Sequence, residues 1–217
     1  MYILCDKYEM MLKNIKSDFN AYLDRYEDTI HDLVIGTSGG IDSALTAAIA
    51  SEICKKRGIP LIGRSIPIES KKDEIKLSEL VGQAFCDNFK VIDMTHIFKS
   101  FYSNFETLEN PVELAKELKL DIGYEKEDKV KYMKLIHQGN VKARLRMIYL
   151  YYLARSLEGL VLSTDNQTEF QLGFWTLNGD VGDFYRRKSD RAQYKRVSPQ
   201  RQRTDTDYAP LHKTEYR

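Results

Sequence analysis

The feature that most constrains this chain is the junction at Gly36. Leu33-Val34-Ile35-Gly36 is a short apolar run ending in glycine, as a buried strand reads. Gly36-Thr37-Ser38-Gly39-Gly40-Ile41-Asp42-Ser43 follows, and it opens a stretch rich in Ala, Leu and Ile that runs from Ile41 to Arg57 and stops at Gly58. A strand running through a glycine-rich turn into a helix favours an anion at the turn. Glycines let the backbone curl and come close, several N–H groups converge, and the helix N-terminus adds roughly half a positive charge. Ser38 and Ser43 can add hydroxyl donors. Asp42 repels a bare phosphate, so a carboxylate here makes sense when Mg²⁺ lies between the two. The plain alternative is a serine-capped turn with no ligand.

The rest of the chain repeats the alternation. Lys7 to Tyr26 places Met10, Met11, Ile15, Phe19, Tyr22 and Leu23 on one stripe, the spacing of an amphipathic helix packed on something larger. Pro60 to Ile68 reads as a second strand, Asp73 to Asn88 as a helix, and Phe89 to Met94 as a third strand. Asn140 to Glu158 reads as a helix capped by Asn140 and ended by Gly159, and Leu160 to Ser163 as a fourth strand. Alternating strands and helices imply βαβ units with right-handed crossovers. The expected class is α/β, a doubly wound parallel sheet with helices on both faces. Ligands in such sheets bind beyond the carboxyl ends of the strands, so residues just after Ile35, Ile68, Met94 and Ser163 carry the information.

Composition narrows the partners. Lys+Arg 33 against Asp+Glu 32 gives a net charge of +1, so bulk charge points to neither nucleic acid nor a membrane surface. No apolar run reaches the roughly 20 residues that span a bilayer, and charge arrives at Asp6 and Lys7, too early for a signal peptide. Cys5, Cys54 and Cys86 are odd in number and far apart, which fits small buried hydrophobes in a reducing cytoplasm better than a disulfide framework or a zinc cluster. The four histidines show no metal-type spacing. The balance hides an asymmetry: residues 186–217 hold ten Lys/Arg against four Asp/Glu and few aliphatic residues. The expected organisation is a domain over 1–185 and a basic segment over 186–217 that cannot bury enough apolar surface to offset its ordering entropy. A basic arm on phosphates would show affinity falling steeply with salt. Charge runs more often form a solvated tail.

The turn is not a Walker A loop, since Gly-Lys-[Ser/Thr] is missing, nor G-x-G-x-x-G. Ser38-Gly39-Gly40-Ile41-Asp42-Ser43 resembles the pyrophosphate loop of the ATP pyrophosphatases, which cleave ATP between its α and β phosphates. Two further blocks agree in order and spacing: Gln138-Gly139-Asn140-Val141-Lys142-Ala143-Arg144-Leu145-Arg146-Met147, and Ser163-Thr164-Asp165-Asn166-Gln167-Thr168-Glu169 leading into Gly173-Phe174-Trp175-Thr176 and Gly179-Asp180-Val181-Gly182-Asp183. Together they resemble the ammonia-dependent NAD synthetases from about Lys7 to Phe184. The resemblance implies an adenine nucleotide alpha hydrolase-like sheet and amidation of deamido-NAD by ammonia with ATP, through an acyl-adenylate, yielding NAD, AMP and pyrophosphate. It implies that Gly36, Thr37, Ser38, Gly39, Gly40, Ile41, Asp42 and Ser43 hold the leaving pyrophosphate and that Asp42 and Glu169 hold Mg²⁺. It further implies that Thr164 contacts ATP, that Arg144 and Asp183 contact deamido-NAD, and that Asp180 or Asp183 serves ammonium. A cytoplasmic homodimer is implied too, with no glutaminase domain in the chain and ammonia supplied from outside.

The pattern also breaks. Many family members carry lysine where Leu177 stands. The family's short apolar strand after Phe184-Tyr185 is replaced by the basic stretch. Pro210-Leu211-His212-Lys213-Thr214-Glu215-Tyr216 then resembles the segment carrying an ATP lysine, which makes Lys213 that residue if 186–207 is an insertion. The later threonine and His-Lys of the family are missing. The competing expectation is therefore a truncated homologue that binds nucleotide with little or no turnover on its own. Glu169 could be a plain carboxylate near a helix start, and Arg144 could pair with an acid on the helix surface.

Overall fold

The computed structural model describes residues 2–108, 111–119, 127–172 and 175–179. Among them the order is α1 (Tyr2–Arg25), β1 (Asp32–Gly36), α2 (Ile41–Arg57), β2 (Leu61–Ser65), α3 (Lys72–Phe85), β3 (Asn88–Val91), α4 (Thr95–Leu108), α5 (Pro111–Glu117), α6 (Glu127–Ser156), β4 (Gly159–Leu162) and α7 (Gln167–Leu172). The chain divides into two compact units. Of the described residues, the first holds 2–65, 71–92 and 150–162, and the second holds 66–70, 93–108, 111–119, 127–149, 163–172 and 175–179.

All four strands belong to the first unit and form one parallel sheet in the order β3-β2-β1-β4. The register sets Leu33 beside Leu61 and Leu160, and Ile35 beside Gly63 and Leu162. Leu33, Val34 and Ile35 are fully buried, which is why β1 reads as a continuous apolar run rather than an alternating one. From β1 to β3 the chain moves one way across the sheet, and β4 then lies on the opposite side of β1. This is the doubly wound order. Right-handed crossovers set α2 and α3, which pack on each other, on one face. They leave the other face to the part of α6 in this unit, where Leu150 and Ala154 are buried.

The α2 helix runs over the expected residues. Gly58, at φ 70°, ends it in the left-handed conformation, with its N–H on the Cys54 carbonyl. Elsewhere the ends move. The second strand stops at Ser65, although burial continues to Ile68. The stripe on α1 divides in two: Phe19 and Leu23 are buried, while Met10 and Met11 are 61% and 52% exposed, so only the C-terminal half of the helix packs. The α1–α2 join is polar. Arg57 donates from Nε to Asn20 Oδ1 (2.8 Å) and from Nη2 to the Asn20 carbonyl (3.0 Å), and it pairs with Asp24.

Helix α6, whose residues are shared between the two units, corrects two expectations. It begins at Glu127, so Asn140 is a mid-helix residue and not an N-cap. Its end is made by Glu158, at φ 55°, and Gly159 is already the first residue of β4. A Gly beside a strand looked like a helix stop because local pattern cannot distinguish the two. Segment 66–70 is held in the second unit by α4 and α6. Glu69 donates its N–H to Thr95 Oγ1 (2.9 Å), Arg146 Nε donates to the Ile66 carbonyl (3.0 Å), and Lys142 Nζ sits 2.7 Å from Glu69 Oε2 and 4.8 Å from the centre of the Phe98 ring.

Candidate functional site

The glycine-rich turn is built as its sequence demands. Strand β1 ends at Gly36, and the Thr37 N–H still follows the sheet, donating to the Arg64 carbonyl (2.9 Å). The chain then curls at Gly39, φ 82°. A Cβ there would lie 2.8 Å from Leu77 Cβ and 2.9 Å from the backbone of Glu74 and Ser78, so the turn is pressed onto α3 as closely as glycine permits. Gly40 takes the N-cap position of α2 with no side-chain cap, which leaves the helix start open to an exogenous acceptor.

The two serines brace this curl. Ser43 Oγ donates to the Gly40 carbonyl (2.9 Å), the Ser38 N–H points to Ser43 Oγ (3.3 Å), the two hydroxyls are 3.1 Å apart, and the Gly40 N–H donates to Ser38 Oγ (3.2 Å). Ser43 is buried and Ser38 exposed, and both hydroxyls are engaged within the turn. Thr37 is 4% exposed, and its Oγ1 has no hydrogen-bond partner among the described residues, a costly state for a buried hydroxyl that a ligand oxygen would relieve. Asp42 lies in the first turn of α2.

The other predicted residues belong to the second unit, except those outside the described residues. Thr164 lies two residues beyond β4, partly exposed. Glu169 is half-buried and engaged locally. Its Oε2 accepts the Asn166 N–H (3.3 Å), while its own N–H donates to Asn166 Oδ1 (2.8 Å), a reciprocal capping box that starts α7. Arg144 Nε donates to the Leu177 carbonyl at 3.1 Å. Asp180, Asp183 and Lys213 lie outside the described residues.

No group of three or more His, Cys, Asp or Glu is arranged for a metal among the described residues. The Asp42 carboxylate in the first turn of α2, beside the uncapped helix start, is a hard oxygen ligand of the kind Mg²⁺ takes together with phosphate and water. Cys54 and Cys86 stay protonated at neutral pH. Burial pushes the Cys54 thiol up to about 12 and the Cys86 thiol up to about 11, with the Asp87 charge adding to both.

Sequence reasoning missed the roles of Arg64, Lys142, Arg146 and Asn140. Arg64 is 7% exposed on β2, donates to the Gly63 and Asn88 carbonyls (2.6 and 3.2 Å), and keeps a buried Nε without a partner among the described residues. Its only sequence signal was a cation inside an apolar run. Lys142, Arg146 and Asn140 stood in a quoted block, but nothing in that block says what each one touches.

The sequence profile of the NAD synthase family matches residues 11–185. The chain belongs to that family. Among curated relatives, the NH(3)-dependent NAD(+) synthetase of Finegoldia magna is 32% identical over 150 residues, 69% of this chain and 51% of its own. That of Pyrococcus horikoshii is 32% identical over 173 residues, 77% of this chain and 57% of its own. This NAD synthase family member therefore spans about half the length of the curated relatives it matches. Among solved structures, the NMN synthetase of Francisella tularensis superposes with a TM-score of 0.61 at 22% identity, covering 90% of this chain and 80% of that one. The NH3-dependent NAD synthetase of Campylobacter jejuni gives 0.59 at 21%, covering 86% and 72%. At those identities the structures support the α/β fold of the family. No helix among the described residues is long and apolar enough to cross a membrane.

Proposed function

We propose that the chain binds ATP on the turn from Gly36 to Ser43 and amidates deamido-NAD with ammonia. The observation that carries this reading is the glycine turn pressed on α3, with an uncapped helix start and a buried Thr37 hydroxyl left without a partner among the described residues, in a chain of this family. In the proposed reaction a nicotinate carboxylate oxygen attacks the α-phosphorus, the bond to the β-phosphate breaks, and pyrophosphate leaves into the turn. Ammonia then attacks the acyl carbon of the adenylate, AMP departs, and the surplus proton passes to a carboxylate, for which Asp180 and Asp183 are the candidates. No enzyme nucleophile is needed. The work is positional and electrostatic.

The reading gives Asp42 and Glu169 to Mg²⁺, which neutralises phosphate charge when bound. It gives Thr164 and Lys213 to ATP, and Arg144 and Asp183 to deamido-NAD. It includes a cytoplasmic homodimer, and a monomer in sedimentation at micromolar concentration would remove that part.

The test is AMP release measured with ATP, Mg²⁺, deamido-NAD and ammonium, each omitted in turn. Release should need all four. Equal release without deamido-NAD overturns the substrate assignment, and no NAD from the complete mixture overturns the reading in favour of a nucleotide-binding homologue. Asp42→Asn should lower turnover by about 10²- to 10³-fold with the fold intact.

A further inference from the structure

Beyond the groups given roles above, the second unit contains a buried polar contact that no step of the proposed reaction uses. Residues 176–179 form a tight turn: the Gly179 N–H donates to the Thr176 carbonyl (2.9 Å), and Asn178 holds φ 58° at the third position, where such turns require a left-handed residue and Asn tolerates it. This turn is fastened to one face of α6 at three points. Thr176 Oγ1 donates to Asn140 Oδ1 at 2.8 Å, with both residues at least nine-tenths buried. Gly179 lies so close that a Cβ on it would stand 3.0 Å from Ala143 Cβ. Arg144 Nε donates to the Leu177 carbonyl at 3.1 Å. Positions 140, 143 and 144 are one helical turn apart, which is how a single face meets a single turn.

The three contacts differ in kind. The first two are buried and rigid, and they place the Leu177 carbonyl. The third uses that carbonyl to hold a guanidinium. A guanidinium is planar, so fixing its Nε to a backbone acceptor fixes the direction of the remaining donors. A free arginine must give up side-chain freedom on gripping a ligand, and one already held at Nε has less to lose.

We infer that Asn140 and Thr176 are positioning residues that set the orientation of Arg144 for deamido-NAD, by locking the 176–179 turn to α6. The inference rests on the assignment of Arg144 to deamido-NAD above. It also accounts for a mid-helix Asn whose place the sequence suggested was a cap. Leu177 then contributes through its carbonyl, while its side chain is exposed.

The experiment is calorimetric binding of deamido-NAD and, separately, of ATP to wild type, T176V, T176S, R144K and the double variant T176V/R144K, with melting temperatures alongside. T176V should weaken deamido-NAD about tenfold or more, as small misplacements of a binding group do, while ATP affinity stays within about twofold. T176S, which keeps the hydroxyl, should bind like wild type. The double variant should bind no more weakly than R144K, because the two changes remove one function. Should T176V fold poorly, N140L/T176V removes both partners of this hydrogen bond together and should show the same loss.

Unchanged deamido-NAD affinity in T176V overturns the inference, as does an equal loss of ATP affinity, which marks general loosening, or additivity in the double variant. If R144K itself binds deamido-NAD like wild type, the assignment of Arg144 fails and this inference fails with it. If R144K weakens binding and T176V does not, only the inference fails.

Discussion

At the scale of single residues, two glycines in the left-handed region separate conformational cost from contact cost. Gly39 (φ 82°) faces the backbone of α3, whereas Gly58 (φ 70°) has nothing within 4 Å of an added Cβ. Gly58→Ala should cost about 1 kcal/mol, the price of a left-handed alanine. Gly39→Ala carries the same term plus about 1–3 kcal/mol for pushing α3 away, and it should also abolish ATP binding because the turn itself moves. Urea midpoints and ATP titration check both, and equal midpoints for the two variants would contradict the packing argument. Glu169 offers a second separation. Its capping box needs only an acceptor at the third helical position, which Gln also supplies. Glu169→Gln should therefore melt like wild type yet need a higher Mg²⁺ concentration for half-maximal turnover, since the charge is gone. An unaltered Mg²⁺ dependence would leave Glu169 with the capping role and remove it from the metal.

Elements are held together here by unequal bonds, and the α1–α2 join shows it. Arg57, with a side chain 20% exposed, makes two hydrogen bonds to Asn20 and pairs with Asp24, while Glu52 on the same helix pairs with Lys16 and with Lys56 (2.8 Å) at the surface. Arg57→Ala should lower unfolding stability by about 1–2 kcal/mol, because Asn20 loses a partner. Glu52→Gln should change it little, since solvent screens exposed pairs. A denaturation series ranking the two the other way would mean the join is ionic. Arg57 also marks the limit of what sequence tells at this scale. The order of strands and helices was legible because a doubly wound sheet needs apolar runs at strand spacing, and the turn at Gly36 because its glycines have no other use. The exposed half of α1 was not legible, since a stripe of Met10, Met11 and Ile15 reads the same whether or not something covers it. Nor was the start of α6: Asn140 is a good cap by type, yet it lies inside the helix with its Oδ1 on the Thr176 hydroxyl. Glu158 ends that helix at φ 55°, which no residue-type preference would select.

For the molecule as a whole, pH couples the buried thiols to global stability. Cys54 is fully buried and Cys86 partly so, and burial holds both thiols neutral, to about 12 and about 11. In the unfolded chain a thiol ionises near 8.5. Between that value and the folded ones the unfolded state has released protons that the folded state still holds, so it binds fewer, and stability must fall as pH rises. The loss should begin near pH 8.5 and continue toward pH 11, with none of it present at pH 7. Tyr22, also raised by burial, acts in the same direction only above the ordinary tyrosine range, so measurements below pH 10 isolate the cysteines. On the acid side Glu52 is drawn down to about 2 by its hydrogen bonds to Lys16 and Lys56. Its contribution is present above the ordinary carboxylate range and lost as pH falls through the folded value, and solvent screening keeps it small. Burial also holds His137 below the ordinary imidazole range, so its contribution is lost as pH falls through that range, and only the alkaline loss belongs to the thiols. Urea midpoints at pH 7, 8.5 and 9.5 for wild type and for C54A/C86A, read as slopes against pH, decide it. The double variant should start lower, having lost packing, and decline less steeply. Parallel slopes would show that the thiols are not the groups that titrate.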